Sequence, residues 1–273
     1  MQKVQHFVIT RFNLKVSESF TTDKNQMTTQ TDDWLSHRFD LFEKYCLPSV
    51  AAQTNQDFSW FLLFDEGTPD EFRLRVEQAK KTCPQIIDCY LKGSNMMPVI
   101  EKYILPHTDV LISTRMDNDD AFRDDAMQIV RDQLKGTTRD LCVNLRFGYS
   151  YDVNQDQAEV FSQKYNPFSS LIEFRKETPF KTIWGAAHGK IHQLAKVKQI
   201  KTGPHWLMVV HDRNVANRMP GEYKYYSLWK WRRLKRYVKK YLVPRIRKLF
   251  WSAEFKKKYT LEELNGRFHT KLR

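Results

Sequence analysis

Residues 114–122 read TRMDNDDAF and place Asp117, Asp119 and Asp120, with Asp124 just beyond, directly behind the apolar run DVLISTR. Carboxylates this close repel one another, and each resists leaving water. The cluster therefore needs a cation, basic partners or full solvation. Asp117 and Asp119 flank a single residue, so in an extended turn their side chains lie on one side of the backbone, as oxygen ligands to a cation would. The competing expectation is a solvated acidic turn at the start of a helix beginning near Ala121, where carboxylates favour the positive end of the helix dipole. His211 ends the run WLMVV in the same way that the acids end theirs.

The elements that must position these residues follow from periodicity. HFVITRF (6–12) alternates and is rich in β-formers, which predicts a first strand. Trp34, Leu35, Phe39, Phe42, Tyr45, Cys46 and Val50 recur at helical spacing, with Asp32 or Asp33 able to cap the start. FSWFLLFDEG (58–67) is a continuous apolar strand of the kind buried on both faces of a parallel sheet. Thr68 as cap and Pro69 at the first helical position predict a helix over the following residues. QIIDCYL gives a third strand, MMPVIEKYIL a short helix and DVLISTR a fourth strand. This alternation predicts a layered α/β fold with parallel pairing and right-handed crossovers. In such sheets ligands sit beyond the carboxyl ends of the strands, where Thr10–Asn13, Asp65–Glu66 and Arg115–Asp120 all fall. From about residue 140 the pattern changes: DLCVNLRFGYSYD and AEVFSQKY read as antiparallel strands around a polar turn.

With 273 residues, 41% of them apolar, and only 9 Gly and 10 Pro, the chain is globular rather than disordered. No stretch approaches the roughly 18 apolar residues of a membrane span, and the N-terminus has no signal-peptide core, so the reading places the protein in the cytosol. Cys46, Cys83, Cys89 and Cys142 show no metal spacing and are expected as buried free thiols. The net charge of +13 is concentrated. Residues 224–258 hold 14 Lys/Arg and one acid, Glu254, leaving 31 basic and 31 acidic residues elsewhere. The composition shift near Pro220–Gly221 predicts a domain over 1–220 and a basic, aromatic, helical tail over 221–273.

LPSVAAQTNQDFSWFLLFDEGTPDE resembles the opening passage of nucleotide-sugar glycosyltransferases of the GT-A fold, a Rossmann-like mixed sheet flanked by helices. STRMDNDDAF is similar to their Asp-x-Asp metal motif. VITRFN, RMDNDDA, NPFSSLIE and WLMVVHDRNVANR together resemble the rhamnosyltransferase family of bacterial polysaccharide clusters over roughly residues 5–220. The resemblance implies sugar transfer, rhamnose among the candidate sugars, from a nucleotide-sugar donor to a growing, lipid-linked bacterial surface glycan. It implies Mn2+ or Mg2+ on Asp117 and Asp119, neutralising the leaving diphosphate, with His211 completing the metal shell. It further implies donor contacts from Thr10, Arg11, Asn13, Asp65, Arg115 and Asp117. Inversion at the sugar carbon requires a base for the acceptor hydroxyl, with Glu173 the first candidate and His188 the second.

The segment YKYYSLWKWRRLKRYVKKYLVPRIRKLFWSAEFKKKY interleaves cations with aromatics, and Trp229, Leu234, Val238, Tyr241 and Leu242 recur at 3–5 residue spacing. Such a helix suits the headgroup region of an anionic membrane, which places the enzyme peripherally on the inner face of the cell membrane. Two other functions compete. A metal-dependent nucleic-acid enzyme would use the acids for metal and the basic segment for phosphates, but the neutral body offers no basic surface beside the acids. A non-catalytic member of such a cluster is disfavoured by the intact Asp117–Asp119 pair.

Overall fold

The computed structural model describes residues 2–14, 22, 28–214, 219 and 259–272. The basic segment 224–258 lies outside the described residues. Nine strands form one mixed sheet in the order β3-β2-β1-β4-β8-β6-β9-β5, with β7 beside β6. The strands β1 (Val4–Arg11), β2 (Ser59–Asp65), β3 (Ile86–Leu91) and β4 (Val110–Arg115) run parallel. β8 (Ser169–Phe174) is antiparallel to β4 and to β6 (Leu141–Asp152), and β6 forms the expected hairpin with β7 (Gln157–Ser162). β9 (Lys196–Val210) pairs parallel with β6 and antiparallel with the two-residue β5 (Ala121–Phe122). The α/β expectation holds, with a parallel half followed by a mixed half in which β6 and β9 alone run parallel among the described pairs.

Alternation along each strand divides the apolar residues between two layers. Val8, Trp60, Leu62 and Ile112 meet Phe39, Phe42, Val50, Phe72, Val76 and Val130 from the helices. Phe7, Ile9, Phe61, Leu63 and Leu111 face Met96, Ile100 and Phe180 on the other side. Double coverage is why β2 reads as an unbroken apolar run. All four cysteines are buried free thiols, as their apolar settings indicated.

Helix α1 (Asp32–Leu41) passes through a wide π turn at Phe42–Cys46 into α2 (Leu47–Ala51). Pro48 lacks the N–H that a regular helix would use, and its ring would crowd the carbonyl one turn back. The π turn immediately before it accommodates both problems. The cap of α1 is Thr31, whose Oγ1 accepts from Trp34 N at 3.2 Å, and Asp32 and Asp33 occupy the first turn instead. Helix α3 spans Asp70–Thr82 with Pro69 just before its first residue and no side-chain cap. Thr68 is turned back instead, and its hydroxyl donates to Asp65 O at 2.7 Å. After α4 (Met97–Ile100), the helix expected near Ala121 is displaced: Ala121 and Phe122 pair with Leu207 and Trp206, and α5 begins only at Ala126, ending at Asp132. Long-range strand pairing, which local composition does not encode, overrides the local helix signal.

The far C-terminus does not behave as an appendage. Thr260 and Glu263 form a reciprocal capping box that starts α6 (Leu261–Phe268). Leu264, Phe268 and Leu272 pack against Tyr149, Tyr151, Leu207 and Val209 of the sheet. Met219 Sδ lies 3.2 Å from Ser150 Oγ, and Tyr259 packs against the ring of Tyr149. Beside these contacts, a Cβ on Gly148 would fall 2.0 Å from Trp206 Cδ2, so the close strand approach there needs glycine. Among the described residues no helix is long and apolar enough to cross a membrane.

Candidate active site at the carboxyl edge of the sheet

Register brings the ends of β1, β2 and β4 together, since Arg11 lies beside Leu63 and Ile9 beside Arg115. The loop 116–120 leaves β4 at this edge and rests on the helix layer, where Cys46 Sγ donates to Asp117 O at 3.6 Å. The three acids find three different environments. Asp119 is almost fully buried, and its Oδ2 accepts from Arg38 Nη1 (2.6 Å), His211 Nε2 (3.2 Å) and Asn214 Nδ2 (3.3 Å). Burial alone would raise its pKa; the charges and hydrogen bonds of Arg38 and His211 override this and hold it well below the usual carboxylate range. Asp120 has no exposed surface, accepts from Val209 N at 2.9 Å through Oδ1, and leaves Oδ2 unpartnered. Burial, then the charges of Asp119 and Asp117, push its carboxyl well above the usual carboxylate range. Asp117 is half-buried, and its carboxylate has no hydrogen bond or ion pair among the described residues; burial and then Asp119 raise its pKa, against Arg115, Arg11 and Arg38. Basic partners thus solve the problem for Asp119, while burial and its acidic neighbours disfavour the charged form of Asp120. Asp117 alone is left facing the edge without a hydrogen-bonding partner.

His211 is placed by its neighbours. The Arg213 amide donates to Nδ1 at 3.2 Å, so the ring proton sits on Nε2 and points to Asp119. His37 Nε2 lies 3.3 Å from the same Nδ1, and burial, more than any neighbouring charge, lowers the His37 pKa. Arg38 Nη2 also donates to Asn118 Oδ1, giving the guanidinium a two-pronged hold on the loop.

Arg11 and Arg115 converge on the opposite layer. The Arg11 guanidinium carbon lies 3.9 Å from the centroid of the Trp184 ring and that of Arg115 4.0 Å. The indole N–H donates to Ile9 O at 3.3 Å, and Arg115 Nη2 donates to Ala186 O at 2.9 Å. Burial pulls the Arg115 pKa down to about 10, with Asp117 opposing and Arg11 reinforcing the shift. Arg11 is lowered too, again mainly by burial, with Asp117 opposing.

The other expected residues divide. Asn13 accepts from Asp65 N at 3.0 Å and exchanges hydrogen bonds with Thr68, so it ties the ends of β1 and β2 together at the edge. Asp65 is half-buried there, and its Oδ1 accepts from Gly67 N. Thr10 is turned into the core, where its hydroxyl accepts from the Trp60 indole at 3.0 Å, so it presents nothing to a ligand. Glu173 stands beside Leu111 in the β4–β8 register, four residues back along β4 from Arg115 and about 13 Å along the strand. Its two oxygens accept from Lys181 N (2.8 Å) and Thr182 N (2.9 Å), which braces the 181–186 segment rather than reaching an acceptor. His188 is exposed at the start of a 3-10 turn, two residues beyond the Ala186 carbonyl that Arg115 holds.

These positions bear directly on the expected Mn2+ or Mg2+. Oxygen and imidazole donors are the right chemistry, but Asp119 and His211 are spent on each other and Arg38 occupies the same carboxylate oxygen. Among the described residues no three His, Cys, Asp or Glu side chains are grouped to hold a metal. As arranged, the donor set does not fit a divalent ion. Sequence reasoning gave no role to Arg38, His37, Asn214 or Trp184. Arg38 and His37 sit on the polar stripe of α1, where a charge is the default. Trp184 lies in a segment of no regular periodicity, and only its neighbours show its purpose.

Comparison with known proteins agrees in part. Among curated proteins none matches the sequence. Of the solved structures, TarS 1–349 of S. aureus in complex with UDP shares 12% identity at TM-score 0.40, over 76% of this chain and 60% of that one. The longer TarS shares 12% at TM-score 0.42, over 76% of this chain and 37% of that one. A 4-diphosphocytidyl-2C-methyl-D-erythritol synthase from Anaerococcus prevotii shares 8% at TM-score 0.38, over 81% and 92%. This chain therefore spans less than two thirds of the TarS chains, and at such scores the fold stands on its own strand order. A family model is decisive, because it matches residues 5–223, from β1 past His211. With the acids, arginines and His211 all inside the matched span, the chain belongs to the family described as "Putative rhamnosyl transferase".

Proposed function

We propose that this protein transfers a sugar from a nucleotide-sugar donor to a glycan acceptor, with the donor diphosphate at the carboxyl edge of β1 and β4. The observation that carries the reading is the convergence of Arg11 and Arg115 beside Asp117 at that edge, within a family of sugar transferases. In the reaction the bond from the sugar carbon to the diphosphate oxygen breaks, and its electron pair stays on that oxygen. The acceptor hydroxyl oxygen bonds to the carbon and releases its proton to solvent. Negative charge therefore grows on the diphosphate, where guanidinium groups stabilise it. The family description supports rhamnose as the sugar. The excess of cations in residues 224–258 supports a lipid-linked acceptor at an anionic membrane surface, since each cation near such a surface contributes about 1 kcal/mol.

The test is sugar release and transfer with a panel of uridine-, thymidine- and guanosine-diphosphate sugars, paired with thermal unfolding of the full chain. The expected result is stabilisation by one donor and its nucleoside diphosphate, with turnover of that donor. A chain that no sugar nucleotide stabilises, with or without Mn2+ or Mg2+, and that binds single-stranded nucleic acid would overturn the reading.

A further inference from the structure

Resting on the reading above, we propose that the leaving diphosphate is held by Arg11 and Arg115 stacked on Trp184, and that Arg38 on Asp119 takes the place of a divalent ion. Sugar transfer by this chain then needs no metal. Two independent sets of contacts carry this.

The first is the state of Asp119. A metal-binding carboxylate must offer an oxygen to the ion, and Asp119 Oδ2 already accepts three hydrogen bonds, from Arg38, His211 and Asn214, so that only Oδ1 is left to offer. Its pairing with Arg38 is 2.6 Å long, with side chains only 13% and 4% exposed. An ion bound through Oδ2 and His211 would have to displace a buried guanidinium and take the proton off His211 Nε2, and an ion on Oδ1 would lie beside that guanidinium's charge. The first half of the acidic pair is thus neutralised from within the fold.

The second is the surplus of positive charge on the opposite layer. Arg11 and Arg115 both lie against the Trp184 ring, 3.9 and 4.0 Å from its centroid, and Asp117, the acid of this edge, makes no ion pair within 4.0 Å among the described residues. Two cations against one acid leave a net positive charge at a strand edge. Arg115 is 5% exposed, and its Nε is buried without a hydrogen-bond partner. Arg11 makes no hydrogen bond among the described residues, although its guanidinium is stacked and half-buried. Stacking fixes the guanidinium planes before any ligand arrives; Arg115 spends Nη2 on the Ala186 carbonyl, and the other N–H groups of the pair remain able to donate. A guanidinium matches two phosphate oxygens at once, so two of them suit a diphosphate. Trp184 is here a positioning residue, anchored through its own N–H to Ile9 O at 3.3 Å.

The experiment is calorimetric titration of the full chain with inorganic pyrophosphate and with uridine, thymidine and guanosine diphosphates, first in EDTA and then in millimolar Mn2+. The expected result is binding of at least one nucleoside diphosphate in EDTA, with affinity unchanged by Mn2+, and a free Mn2+ resonance signal that the protein does not diminish. Arg11→Gln should weaken that binding roughly 10- to 100-fold, as loss of charge-assisted hydrogen bonds does. Trp184→Ala should weaken it about 2- to 30-fold, the span of a cation–π contact, and Trp184→Phe should recover part of the loss. Arg11 is half-exposed, so its variant carries the test if Trp184→Ala does not fold. Binding that disappears in EDTA and returns with Mn2+ would overturn the inference while leaving sugar transfer intact. Folded Arg11→Gln and Trp184→Phe proteins that bind like wild type would overturn it as well. Failure of every diphosphate under both conditions would instead remove the nucleotide-sugar reading itself.

Discussion

Arg38→Ala is the perturbation that bears most directly on how the acidic loop is held. The substitution removes a guanidinium 13% exposed from a carboxylate 4% exposed, at 2.6 Å. Deleting one partner of a buried pair typically costs about 3–5 kcal/mol, because the other charge stays buried. Asp119 retains donors from His211 at 3.2 Å and Asn214 at 3.3 Å, which places the expected loss near the low end, about 3 kcal/mol. At roughly 2–4 °C per kcal/mol for chains of about this size, the variant should melt about 6–12 °C lower. The pH dependence has a definite sign. Asp119 is held below the ordinary value of 3.8, so its contribution is fully present above that value and is lost as pH falls below it. The gap between wild type and variant should therefore be full at neutral pH and shrink once the pH drops below 3.8. Thermal unfolding across that range measures it, together with a double-mutant cycle using Asp119→Asn, where a coupling of about 0.5–3 kcal/mol is expected. Additive single and double variants, or a melting loss that persists unchanged in acid, would refute the pairing as the loop's counter-charge.

Two further outcomes follow from other parts of the fold. Glu173→Gln leaves one of the amides of Lys181 and Thr182 without its acceptor, so chemical denaturation should show a loss of about 1–3 kcal/mol, with turnover per folded molecule little changed. A stable variant that loses the 10²–10⁴-fold expected of a general base would return Glu173 to catalysis. Phe268→Ala should cost roughly 3–5 kcal/mol, because Phe268 is fully buried against Tyr149 with ring centroids 6.2 Å apart. Unaltered stability in a urea titration would mean that α6 adds no burial to the sheet.

The sequence by itself determined the alternation of parallel strands and helices, the double burial of β2 and the gathering of Arg11, Asp65 and Arg115–Asp120 at one edge. All of these follow from periodicity and from the rule that parallel strands end together, which are local properties of the chain. It also determined that the acids would need compensation, because like charges behind an apolar strand repel in any fold. What supplies that compensation was a tertiary matter. Arg38 is 81 residues from Asp119, and nothing in the spacing of α1 distinguishes an arginine facing a carboxylate from one facing water. The pairing of Ala121–Phe122 with β9, the retreat of Thr10 and Glu173 from the edge, and the stacking of two arginines on Trp184 have the same origin. Each is decided by which distant backbone lies alongside, and a one-residue change in register would send those side chains to the other layer.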